Sequence, residues 1–362
     1  TSPSTGEWRY NTTTNLVEFW DGGEWRDLQS EDIPPTASEH FITVTWTGDG
    51  SVRDIPTGFQ PDFVWIKSRS FARNHYLYDS TRGVNNQLVS NTQDAQATNA
   101  DRMTAFNATS FTVGTSAETN NNGETYVAWC WKANGGTTSS NTDGSATSTV
   151  QVNAKAGFSI AEMTWAGAGS IGHGLGSTPE LVILKGLSSA EDWQVYHSAT
   201  GTGKYLKLNE DIVVQTRADS FSTVNSTVVT NNWTGGSVDW IMYSFVSVAG
   251  YSSISSYTGN GSASGPIVNT GFEPAYVMIK RTDGIDDWIV VDNKRNTVNS
   301  RYNYLMPNSS ALENGSASGT VNPLVNFLTN GFQIAATWGA VNNNGSLYVY
   351  MAFASDPSAA QF

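Results

Sequence analysis

A ten-residue unit occurs three times in this chain, and it constrains the fold more than any other feature. It reads Gly58-Phe59-Gln60-Pro61-Asp62-Phe63-Val64-Trp65-Ile66-Lys67, then Gly176-Ser177-Thr178-Pro179-Glu180-Leu181-Val182-Ile183-Leu184-Lys185, then Gly271-Phe272-Glu273-Pro274-Ala275-Tyr276-Val277-Met278-Ile279-Lys280. A turn followed by an apolar β-run, repeated at long period, is the mark of a duplicated structural unit. Upstream, Trp46-Thr47-Gly48, Trp165-Ala166-Gly167 and Tyr257-Thr258-Gly259 end a strand in a glycine turn. Asp79, His197 and Asp292 each lie twelve residues after the repeated lysine and end short strands.

The last strand of each copy says most about packing. Val127, Trp129 and Trp131 alternate along Tyr126–Trp131, as do Ile241, Tyr243 and Phe245, and Val349, Met351 and Phe353. Alternation of large residues puts one strand face on a core. Cys130 stands where the other copies carry Ser244 and Ala352, so the position asks for a small side chain. Asn121-Asn122-Gly123 and Asn343-Asn344-Gly345 are hairpin signals, because Asn and Gly tolerate positive φ. The second copy carries Asn232-Trp233-Thr234-Gly235-Gly236 there instead.

These signals predict an all-β chain: a short β-meander over 1–35, then three repeated β-sandwich, jelly-roll-like units over 38–133, 155–248 and 251–357. Sandwiches that share sheets, or a shared pseudo-threefold core, satisfy the repeat equally well. Residues 134–154, rich in Gly, Ser and Thr, read as a flexible linker or long loop. The meander carries Trp8, Tyr10, Phe19, Trp20 and Trp25 but is too short for its own core. Self-association or docking on the first repeat would cover them.

Composition narrows the function. Of 362 residues only 14% are charged, and the net charge of −13 lacks the basic footprint that nucleic acid or anionic lipid requires. One cysteine cannot form an internal disulfide, and no apolar run is long enough to span a membrane as a helix. The chain starts at Thr1 with no signal-like segment, which suggests a fragment or processed form. Asn-x-Ser/Thr triplets at Asn11, Asn107, Asn232 and Asn308 are what chance produces at this composition.

The first unit, with Gly6-Glu7-Trp8-Arg9-Tyr10-Asn11 and Glu18-Phe19-Trp20-Asp21-Gly22-Gly23-Glu24-Trp25, resembles a short module of tailed-bacteriophage tail fibres. The repeats resemble those of tail-fibre and adhesin-like proteins of marine and cyanobacterial phages. The motifs that carry this stand at 257–261, 271–280, 330–332 and 126–133. The resemblance implies an extracellular virion component, a homotrimer joined to other tail proteins, that attaches to host cell-surface polysaccharide or another receptor. A capsid or tail decoration protein and a polysaccharide depolymerase are the alternatives.

Catalytic, metal and cofactor signals are weak. Asp286 with Asp287, or Glu191 with Asp192, could act as acid and base on a glycan, but adjacent acids in polar loops are ordinarily just solvated. His40, His75, His173 and His197 lack metal-ligand spacing, and His75 aligns with Trp193 and Trp288 as a packing position. Asp283-Gly284-Ile285-Asp286-Asp287 holds oxygen ligands without calcium-loop spacing. The expectation is therefore no cofactor, no metal and no enzyme. Lys67, Lys185 and Lys280 read as strand-end residues, able to form surface pairs with Asp79 and Asp292 in two copies. Unrepeated aromatics are the better ligand candidates, since core aromatics recur at matched positions. Trp233, Trp338, Tyr302 and Tyr304 meet that test, and sugars stack on such rings.

Overall fold

The computed structural model describes residues 3–4, 7–13, 16–20, 23, 25–27, 35–165, 169–232, 239–314 and 323–354. The protein is all-β, and its named strand pairs are antiparallel. It divides into two compact units, Thr1–Pro35 and Thr36–Phe362. The first is the expected meander of Trp8–Asn11, Leu16–Trp20 and Trp25–Asp27.

Each repeat in the second unit builds the same four-strand set. In the first it runs Phe41–Thr47, Thr125–Trp131, Phe63–Ser68, Tyr76–Asp79 across the sheet. In the second it is Phe158–Thr164, Asp239–Phe245, Leu181–Gly186, Gln194–His197, and in the third Ser252–Thr258, Leu347–Ala354, Pro274–Arg281, Ile289–Asp292. A separate three-stranded sheet covers one face. In the first repeat Ile55, Met103, Phe111 and Val113 of that sheet pack on Val64, Ile66, Ala128 and Cys130.

The opposite faces meet one another. Trp131, Phe245 and Phe353, at matched positions of the three closing strands, form a triangle with ring centroids 5.7 to 6.2 Å apart. Phe63, Trp65, Ile160, Ile183, Met278 and Met351 join the same buried cluster. The three repeats thus share one core about a pseudo-threefold axis. Alternation along the closing strand serves two cores, because both of its faces are buried.

The seams between repeats are cyclically equivalent. Gln96 N–H donates to the Leu187 carbonyl at 2.9 Å, Val214 to Thr282 at 2.8 Å, and Glu313 to Arg69 at 2.8 Å. In two seams an aspartate crosses the interface: Tyr243 Oη donates to Asp79 at 2.7 Å and Trp129 Nε1 to Asp292 at 3.1 Å. Each aspartate also pairs with a buried arginine three residues on, Arg82 or Arg295. In the remaining seam the residue matched to Trp129 and Tyr243 is Met351, which has no N–H or O–H to offer. A buried carboxylate there would lack its donor. The chain instead carries His197, whose Nδ1 accepts from Ala199 N–H and whose Nε2 donates to the Tyr350 carbonyl at 3.3 Å. Thr200 replaces the arginine. The departure of the second copy from the aspartate pattern is compensated by its neighbour.

Two expectations are corrected here. Residues 134–154 are not a loose linker: Ser139–Asn141 and Ser148–Asn153 extend the second repeat's sheet. Their approach is pinned by Asp62, whose carboxylate accepts from the N–H groups of Ala133, Gly135 and Gly136 at 2.7 to 2.8 Å. Nor are the repeated lysines surface partners of the aspartates. All three are fully buried. Lys185 Nζ donates to the carbonyls of Gln93 and Glu191, Lys280 Nζ to those of Asp211 and Arg281, and Lys67 Nζ to that of Ser68.

That burial predicts an alkaline rise in stability. Desolvation lowers Lys67 to about 7 and Lys185 and Lys280 to about 8, with nearby carboxylates opposing the shift. Unfolded lysines keep their protons to about pH 10.4. Between those values the unfolded chain binds more protons, so stability is lowest below pH 7 and rises toward pH 10. Thermal melts from pH 6 to 9.5 should show an increasing midpoint, flattened by Lys185→Met. A midpoint that falls across this window would refute the assignment.

Candidate functional site

A cavity of about 470 Å³ lies in the third repeat. Three of the four aromatics singled out from sequence, Tyr302, Tyr304 and Trp338, line it together. Trp233 lies outside the described residues. The Tyr304 and Trp338 rings stand 5.1 Å apart at 45°.

The local chain explains how these side chains are aimed. Tyr302 and Tyr304 sit on the excursion between Asp292 and Val325, which is longer than its counterparts in the other repeats. Asn296 Oδ1 accepts from the N–H groups of Tyr302 and Asn303 at 3.1 and 2.6 Å. Tyr304 and Asn314 exchange backbone hydrogen bonds at 2.9 and 3.1 Å, and Val290 and Leu305 do the same. Successive side chains of an extended segment point to opposite sides. Leu305 is therefore fully buried in the core, while Tyr304, partly buried against the same cluster, lines the cavity.

Trp338 precedes a single helical turn, Gly339–Asn342, at its N-cap position, where it makes no side-chain cap. The matched turn of the first repeat, Ala117–Asn120, is capped by Ser116, which accepts from Glu118 N–H. Serine at an N-cap is worth about 1 kcal/mol over residues that cannot accept. The third repeat gives up that bond and presents an indole, 38% exposed, to the cavity. The turn is still held, because Asn342 Nδ2 donates to the carbonyls of Ser262 and Ala336.

The remaining walls are neutral. Asn314 and Thr337 supply polar groups, and Pro323, Leu324, Ala335 and Ala336 an apolar side. None of the described lining residues carries a charge. Burial raises the Tyr304 phenol above its ordinary range, and Asp287 nearby adds to the shift.

The other sequence candidates are bound into the scaffold. Arg281 Nε donates to Asp283 at 2.8 Å and Nη1 to Asp286 at 3.0 Å, so a guanidinium already occupies the loop considered for calcium. Asp192 accepts from Lys207 and Asn209, and Asp287 from Asn308. These acids are equivalent positions of one repeated clamp: Asn209 and Asn308 also accept from Trp193 and Trp288 N–H, as Asn91 does from His75 N–H. The sequence reading missed this clamp, although the three asparagines follow the repeated lysines at similar spacing. Among the described residues no three His, Cys, Asp or Glu side chains gather to hold a metal. No described helix is long and apolar enough to cross a membrane.

Fold and site together define a triplicated all-β scaffold that carries a neutral, aromatic-walled cavity on one of its copies. Residues 36–357 match the family described as a domain of unknown function, DUF7483, and the chain belongs to that family. The match begins at the boundary between the two compact units. A comparison with curated proteins finds no match.

Proposed function

We propose that this protein is a non-enzymatic phage tail-fibre component that attaches the virion to host cell-surface glycan through the cavity of its third repeat. The observation that carries this reading is the convergence of Tyr302, Tyr304 and Trp338 on one cavity. Trp338 stands where the first repeat has Ser116, and Tyr302 has no aromatic counterpart there; Tyr304 corresponds to Tyr205 of the second repeat, so it is shared with one other copy. A cavity of this size is within the range of about 300–1,000 Å³ that small-ligand sites occupy. Adjacent aromatic rings beside neutral hydrogen-bonding groups suit a sugar face and its hydroxyls. The tail-fibre motifs noted above supply the setting, and the structural partners of the acid pairs favour binding over hydrolysis. Avidity then comes from copies of the chain, and the first repeat, with Ser116 where the third has Trp338, adds no equivalent site.

The test is saturable binding of labelled protein to candidate host cells, beside mutants altered in surface polysaccharide. Binding should disappear on the mutants. Trp338→Ser should weaken it roughly tenfold or more. The same substitution should change stability by no more than about 1 kcal/mol, because the new N-cap offsets the lost ring contact. Equal binding to parent and polysaccharide mutants, or full binding by Trp338→Ser, would refute the proposal.

A further inference from the structure

We propose that the cavity selects an uncharged sugar bearing a methyl-terminated substituent, a 6-deoxyhexose or an N- or O-acetylated hexose; this rests on the glycan-binding reading above. The lining includes Leu324, Pro323, Ala335 and Ala336, whose side chains offer no hydrogen bond. A sugar held by Tyr304 and Trp338 in this cavity shares it with those side chains. A hydroxyl set against those side chains gains no side-chain partner, whereas a methyl group gains from burial.

Charge points the same way. Recognition of a uronic or sialic acid calls for Arg or Lys against the carboxylate. Among the described residues none lines the cavity. Asp287 adds to the rise of the Tyr304 phenol that burial causes. The paired Asp286 carboxylate and Arg281 guanidinium lie equally near Gly339, the residue after Trp338, each 3.9 Å from where a Cβ would stand. Asp286 is itself paired with Arg281, so it is not free to receive an ammonium sugar. Asn314 and Thr337 remain to hydrogen-bond neutral hydroxyl or amide groups.

The experiment is ligand-observed NMR and calorimetry of the full chain against matched sugars. The pairs are L-rhamnose with L-mannose, L-fucose with L-galactose, and N-acetylglucosamine with glucose, glucosamine and glucuronic acid. At least one methyl-bearing sugar should bind tenfold or more tighter than its parent and than the uronic acid, and Trp338→Ala should abolish it. Ala263→Lys, at an exposed lining position, should narrow the gap to glucuronic acid without unfolding the protein. Parent or charged sugars that bind as tightly as the methyl-bearing ones, still through Trp338, would overturn this selectivity and leave glycan binding standing. Host-cell binding that is unchanged by Trp338→Ala, with no sugar of the panel bound, would overturn the glycan reading itself.

Discussion

Trp131→Ala should lower the unfolding free energy by about 3–5 kcal/mol, the range for truncating a buried aromatic. The effect is large because this one side chain belongs to all three repeats' packing. Its ring contacts Phe41 and Phe63 in its own repeat, Phe245 in the second, and Tyr276 and Phe353 in the third. The loss should appear in a single transition, since a hole at the axis weakens every repeat together. Trp131→Phe is the informative contrast. The indole N–H is buried without an acceptor among the described residues. Phenylalanine keeps much of the ring and removes that unsatisfied donor, which offsets about 1–3 kcal/mol of the packing loss. Chemical denaturation of both variants checks this. An alanine variant that costs under about 1 kcal/mol, or that unfolds in separate steps with two repeats unaffected, would show that the core is not shared.

Asp292→Ala should be comparably severe, by about 3–5 kcal/mol, for an electrostatic reason. Asp292 accepts from the backbone N–H groups of Lys294 and Arg295, from Arg295 Nε at 2.6 Å and from Trp129 Nε1 across the seam. Removing it strands a guanidinium whose side chain is fully buried. Arg295 keeps Glu313 at 3.1 Å, but Glu313 is shared with Arg69, which it binds through both oxygens at 2.9 Å. This seam joins the third repeat to the first, which no direct chain connection links, so its side chains carry the ring closure. The double variant Asp292→Ala/Arg295→Met should be less damaging than Asp292→Ala alone, because no charge is then left buried. Equal or greater damage in the double variant would mean that packing, and not the stranded charge, dominates.

The strands were readable from sequence because their signals are local. Asn-Gly turns, the Pro-led apolar runs and alternation in the closing strands reflect backbone preferences that a few neighbouring residues impose. The repeat itself was also legible, and with it the distinction between recurrent core aromatics and the copy-specific Tyr302 and Trp338; Tyr304, counted with them from sequence, has Tyr205 at its matched position in the second repeat. The indole at an N-cap position was a further signal in principle, visible once Ser116 and Trp338 are matched.

Sequence by itself thus determined an all-β chain, three copies of one unit, a preceding meander, and a short set of aromatics not required by the repeat. Tertiary structure decided what those copies do to one another. Alternation marks two faces of a strand but not what covers each, so the shared axial core, the buried lysines and the ordered path of 134–154 were invisible locally. His197 looked like a lapse in a pattern; it is matched to Met351, more than a hundred residues away in sequence and across a seam. The cavity has the same origin. Tyr302 and Trp338 belong to different segments, and only long-range hydrogen bonding and burial bring their rings to one cavity.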